Sequence, residues 1–292
     1  MTKIETREHW HSAADGTRLF ARDVGPLQGK LTPLLCLPGL TRNSSDFEPV
    51  FEKFSDSRRI IAMDFRGRGN SAHSADPNTY RPDVELQDTL EFLDALEIGR
   101  VAVLGTSRGG IVGLLMATLA KQRLAGLCLN DVGCKLEADG LLRIMSYVGT
   151  ARTFSSWEIA AAQFAKSAMG FRNISPLQWQ TVVKRIYRKA SGGIAHNHDL
   201  ALAQTLPAVQ DVMDGNVPEL WTLLPTLTDV PFALLRGEGS DLLSPETVQR
   251  MADAVPDLVT TTISGRGHVP FLDEPESVAA ITQWLERVDL LA

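Results

Sequence analysis

Short aliphatic runs alternate with longer amphipathic stretches over the first half of the 292-residue chain. Pro33 to Leu37, Arg59 to Phe65, Val101 to Leu104 and Leu124 to Asp131 are mostly apolar and are bounded by Gly, Pro or Asp. Runs of that length read as strands buried on both faces of a parallel sheet. Between them, Pro82 to Glu97 and Ile111 to Ala120 read as helices. Pro82 suits a first helical turn and Gly99 a C-terminal end. Strand–helix alternation of this kind predicts a doubly wound parallel sheet. Upstream, His9 to Ser12 and Thr17 to Asp23 read as two strands joined by an Asp15-Gly16 hairpin turn. The histidine pair on the first of them reads as a solvent or rim face. Ser44 or Ser45, supported by Glu48, is placed to cap the helix after the loop Leu40 to Asn43.

After Gly133 the alternation stops. Between about Glu137 and Leu224 the pattern offers only helices and loops, with helices at Leu141 to Val148, Trp157 to Met169 and Leu177 to Lys189. The sheet resumes at Val230 to Arg236. A helix at Pro245 to Ala254, a strand at Val259 to Ile263, a loop through Ser264-Gly265-Arg266-Gly267-His268 and a helix from Glu276 to Val288 follow. The simplest organisation is a core formed by 1–133 and 226–292, with 134–225 as a helical cap over the C-terminal edge of the sheet.

Hydrophobic residues make up 44% of the chain, enough for a sizeable core. The net charge of -6, with scattered basic residues, argues against nucleic acid as a partner. Three cysteines, Cys36, Cys128 and Cys134, show no framework spacing, and the first two lie in strand-like runs. The polar first residues lack an apolar signal core, and no apolar run is long enough to span a membrane. Together these predict a cytoplasmic protein. No element of the sequence sets the oligomeric state.

Candidate chemistry centres on Gly105-Thr106-Ser107-Arg108-Gly109-Gly110, a G-x-S-x-G match lying between a strand and a helix. A serine on that turn projects from the sheet edge, and the glycines let strand and helix pass closely. The hydroxyl needs a base, and His268 lies at the end of a later strand, where reacting groups in such sheets gather. The base needs an orienting carboxylate. Asp241, after the penultimate strand, is the first candidate; Glu238 and Asp131 also follow strands and are rivals. Oxyanion donors are expected from the backbone N–H of Arg108 at the helix start and of Leu40 beside Gly39. Gly105 to Gly110 lacks the G-x-G-x-x-G spacing of a dinucleotide site. His196-Asn197-His198-Asp199 has no third ligand cluster nearby, so neither metal nor cofactor is expected.

Leu37-Pro38-Gly39-Leu40, Asp64 to Ser71, Gly105 to Gly110, Gly239-Ser240-Asp241 and Gly267-His268-Val269-Pro270 together resemble the α/β-hydrolase fold family. The likeness is to its cap-bearing serine esterases, lipases and lactonases. It implies an eight-stranded, mostly parallel sheet flanked by helices, with a helical cap insertion. It also implies a Ser107-Asp241-His268 triad, an oxyanion hole from Leu40 and Arg108, and no cofactor or metal. Where the family commonly has His-Gly, this chain has Pro38-Gly39, so any role of that imidazole is absent. Serine at 107 disfavours the relatives that use aspartate there.

These readings converge on hydrolysis of small, largely apolar carboxylic esters or lactones through an acyl-enzyme on Ser107. Trp157, Phe164, Met169, Phe171, Trp179 and Trp221 are candidates for an apolar pocket. Carbon–carbon bond hydrolysis of a ring-cleavage product is an alternative for the same triad, and a non-catalytic ligand-binding hydrolase fold is a second.

Overall fold

The computed structural model describes residues 4–291. The chain begins with an antiparallel hairpin, β1 (Thr6–Ser12) and β2 (Arg18–Val24), and continues through β3 (Leu34–Leu37) and α1 (Glu48–Phe54). Then come β4 (Ile60–Asp64), α2 (Pro82–Ala95), β5 (Val101–Thr106), α3 (Arg108–Leu119) and β6 (Leu124–Asn130). The eight strands of the main sheet run in the order β1-β2-β4-β3-β5-β6-β10-β11. Here β10 is Phe232–Gly237 and β11 is Val259–Ile263. Only the pairings of β2 with β1 and β4 are antiparallel; the rest of the sheet is parallel.

The central strands are buried along their whole length, which is why they read as continuous apolar runs. Successive side chains point to opposite faces, and the two cores follow that alternation. Leu35, Leu37, Ile61, Met63, Val101, Val103, Leu127 and Leu129 belong to one core, with α2 and α3 residues such as Phe92, Val112 and Met116. Leu34, Cys36, Ile60, Ala62, Ala102, Leu104 and Cys128 belong to the other, with Phe51 and Trp284. Trp284 lies on α9 (Pro275–Leu290), which closes the chain. The third cysteine, Cys134, is buried as well.

The segment between β6 and β10 contains α4 (Ala138–Val148), β7 (Thr153–Phe154), α5 (Trp157–Ser167), α6 (Pro176–Ile186), β8 (Tyr187–Ala190), β9 (Gly193–His196) and α7 (Val209–Met213). Here the expectation of helices and loops alone is corrected. β7, β9 and β8 form a separate three-stranded antiparallel sheet. The predicted helix Leu177 to Lys189 ends at Ile186. Residues 187–190 instead pair with β9 across a two-residue turn, Ser191-Gly192. Gly192 (φ 90°) and Gly193 (φ 139°) hold backbone conformations that side-chain-bearing residues rarely adopt. α6 itself starts with Ser175 in a capping box with Gln178 and Pro176 in its first turn.

The helical cap after Leu40–Asn43 also differs from expectation. The Asn43 side chain, rather than Ser44 or Ser45, accepts a hydrogen bond from the Ser45 backbone at 3.0 Å. Past β10, α8 (Pro245–Ala254) is capped by Ser244. Among the described residues no helix is long and apolar enough to cross a membrane.

Candidate active site

Ser107 stands between β5 and α3 with φ 48° and ψ -110°. A non-glycine residue in that region is strained, and the surroundings must hold it there. They do so by close backbone contact. A Cβ on Gly105 would come within 2.5 Å of the Gly109 carbonyl oxygen, and one on Gly109 within 2.1 Å of the Leu37 carbonyl oxygen. Only glycine lets β5, α3 and β3 approach this closely. The Ser107 N–H donates to the Asn130 carbonyl at 3.0 Å, tying the turn to the end of β6.

His268, on the loop after β11, faces this turn. Its Nε2 lies 3.1 Å from Ser107 Oγ, within reach to accept the hydroxyl proton. Its Nδ1 lies 2.7 Å from Asp131 Oδ2. With Nδ1 protonated, the ring donates to the carboxylate and presents a free lone pair to the serine. The Asn130 amide donates to the Pro270 carbonyl at 3.2 Å and so ties the His268 loop back to β6.

The expectation that Asp241 reaches the imidazole is corrected by these distances. Asp241 instead takes a bidentate ion pair from Arg143 of α4, at 2.5 and 2.8 Å. Burial would raise its pKa, but that guanidinium holds it below the usual carboxylate range. Glu238, the other rival, is paired with Arg172 on the surface.

Asp131 immediately follows β6, the neighbour of β5, and has φ 56°. Its buried carboxylate accepts the Gly237 N–H at 2.7 Å and the Ser240 hydroxyl at 2.6 Å as well as the imidazole. The end of β10 and the loop after it thus supply the grip on the carboxylate, not the carboxylate itself. The sequence signals were an aspartate directly at a strand end and a serine in the facing loop.

The two expected oxyanion residues flank the same place. Arg108 is the first residue of α3, where a backbone N–H has no acceptor within its own helix. The loop at Leu40 passes beside Ser107: a Cβ on Gly39 would lie 3.8 Å from Ser107 Cβ. A buried charge network joins these two segments. Arg68 Nε donates to the Leu40 carbonyl at 2.8 Å, and Arg68 Nη2 lies 2.8 Å from Glu85 Oε1. Glu85 Oε2 accepts from Arg108 Nε at 2.6 Å. Glu85 and Arg68 are fully buried, so this pairing is what makes their burial tolerable. Sequence reading missed it, since charges inside helix patterns usually face water.

A cavity of about 160 Å³ opens beside Ser107 and His268, between the main sheet and the 138–227 segment. Of the six apolar candidates only Phe164 and Phe171 line it. Trp179 is buried in the segment's own core with Ala160 and Val183, and Trp221 stacks under Arg250 elsewhere. Polar groups not foreseen from the sequence line it too, among them Arg42, Arg143, Arg152, Tyr147, Tyr187 and His196. Among the described residues there is no cluster of His, Cys, Asp and Glu that could hold a metal ion.

Comparison with known proteins agrees with this architecture. The chain is 29% identical over 257 residues to a 3-hydroxybutyrate-oligomer hydrolase of Cupriavidus necator, covering 86% of this chain and 87% of that protein. It is 25% identical over 258 residues to a 2-(acetamidomethylene)succinate hydrolase of Mesorhizobium japonicum, covering 87% of each. Among solved structures, an alpha/beta hydrolase from Novosphingobium aromaticivorans superposes with a TM-score of 0.90 at 37% identity, covering 98% of this chain and 99% of that one. Residues 34–281, which hold β3 through the first turns of α9 and every residue of the Ser107 site, match the alpha/beta hydrolase family, and the chain belongs to it.

Proposed function

We propose that the protein is a serine hydrolase that cleaves carboxylic esters or lactones through an acyl-enzyme on Ser107. The observation that carries the reading is the unbroken relay Ser107 Oγ to His268 Nε2 to Asp131, at 3.1 and 2.7 Å. Ser107 Oγ attacks the carbonyl carbon while His268 takes its proton. Asp131 holds the imidazole in the required tautomer and stabilises the imidazolium. The backbone N–H groups of Leu40 and Arg108 receive the oxyanion, each lowering the barrier by about 3 kcal/mol. The tetrahedral intermediate collapses, the C–O bond breaks, and the alkoxide leaves with the proton from His268. Water then attacks the acyl-enzyme with His268 as base, releasing the acid and restoring Ser107.

The segment 134–225 acts in this reading as a cap whose residues shape the pocket. The Cupriavidus relative, named for an ester oligomer, is in keeping with ester chemistry. The test is turnover of a simple aryl ester such as phenyl acetate by the wild-type protein and by Ser107→Ala. Turnover by the former, abolished in a folded variant with an unchanged far-UV spectrum, is the expected result. Turnover that survives in the folded variant would refute the assignment.

A further inference from the structure

We propose that the cavity beside Ser107 takes an ester bearing a free carboxylate, and that Arg152 is the counter-ion for that carboxylate. The inference rests on the ester-hydrolase reading above and names its substrate class. Three guanidinium groups line the cavity, those of Arg42, Arg143 and Arg152, and no aspartate or glutamate does. Two of the three are already neutralised from outside it. Arg42 is held by Asp46 at 2.5 and 2.8 Å, and Arg143 by Asp241 at 2.5 and 2.8 Å. Arg152, which is exposed to solvent as well as lining the cavity, has no carboxylate partner among the described residues and is the one unpaired guanidinium there.

The groups next to Arg152 suit a carboxylate. Burial raises the Tyr187 pKa and lowers that of His196, so both are neutral; the nearby Arg152 guanidinium opposes the first shift and reinforces the second. Both His196 ring nitrogens are buried without a well-formed hydrogen bond, although the Thr150 backbone lies beside the ring. A buried polar atom without a partner is costly, and a ligand oxygen reaching it would remove that cost. The neutral ring has one N–H to donate, and the Tyr187 hydroxyl has another. An anion seated by Arg152 would therefore meet a guanidinium fork and two neutral donors. The opposite choice, a cationic substrate, would meet three guanidiniums and no acid.

The probe pair is the linear dimer of 3-hydroxybutyrate and its C-terminal primary amide, which have nearly the same shape and differ in that one charge. With the wild-type protein, kcat/KM for cleavage of the central ester is expected to be about tenfold higher for the acid, through KM. In Arg152→Gln the acid-to-amide ratio should fall towards one. Equal kcat/KM for the two probes in the wild type, or a ratio untouched by Arg152→Gln, would overturn the inference. Calorimetric binding of both probes to Ser107→Ala separates the two readings. Acid-selective binding that disappears on adding Arg152→Gln, alongside a wild-type protein that turns over neither probe nor phenyl acetate, would support the carboxylate site and refute the hydrolase reading. Binding of neither probe, or of both equally, would refute the carboxylate site.

Discussion

Asp131, Ser240 and Asp241 show how one residue's direction decides a role. Ser107 and His268 were legible because each sits at a strand end with a glycine beside it, a pattern that ties residue type to backbone shape. The acid was not, because three carboxylates followed strands and sequence carries no side-chain direction. Asp131 turns into the site because its φ of 56° and its bonds to Gly237 and Ser240 fix it there. Asp241, one residue beyond Ser240, turns out to Arg143. Two conservative variants therefore separate them. Asp131→Asn keeps the shape but lets the amide favour the wrong imidazole tautomer. The corresponding change in a serine protease lowers kcat by about 10⁴, and a loss of that order is expected here. Asp241→Asn should cost far less, because the proposed relay does not include it. Steady-state kcat on an aryl ester measures both, and the reverse ranking would return the role to Asp241.

Among the elements, the central main-sheet strands were legible to within a residue or two because burial on both faces leaves a continuous apolar run, whereas half-buried β1 starts three residues before the strand read there. The small sheet after β6 was not. β8 follows α6 without a break and reads Tyr-Arg-Lys-Ala, with three of its four residues exposed, so no alternation marks it. The signal available was Ser191-Gly192-Gly193, a hairpin turn, which a helical reading passes over. β9 ends at His196, and His198 follows two residues later, buried against the Val148 carbonyl and bridged to Arg68. Burial, with His196 beside it, lowers the His198 pKa from 6.5 to about 4. The folded state thus resists a proton that the unfolded chain accepts. Stability from this group is complete above about pH 6.5, falls as pH drops, and is fully lost below about pH 4. The shift amounts to roughly 3 kcal/mol. Urea unfolding of the wild type and of His198→Leu at pH 7 and pH 4 checks it. The loss between the two pH values is expected to be smaller in the variant by that order; equal losses would count against the assignment.

The whole molecule joins an eight-stranded main sheet to a more irregular segment between β6 and β10. Main-sheet strands β5, β6 and β11 bring Ser107, Asp131 and His268 together at one edge, and the alternating core faces on either side keep that edge fixed. That segment adds Arg143, Arg152, Phe164, Tyr187 and His196 to the cavity wall. The fold class and the placement of Ser107 and His268 were therefore readable from strand ends, whereas the cavity's charge was not, because it depends on which arginines already have partners. The central claim is that Ser107 is activated by His268. Intact and peptide mass spectrometry after treatment with diisopropyl fluorophosphate tests it directly. A single diisopropylphosphoryl adduct on the peptide containing Ser107, formed far more slowly in His268→Ala, is the expected result. An adduct elsewhere, or labelling of Ser107 at an unchanged rate without His268, would contradict it.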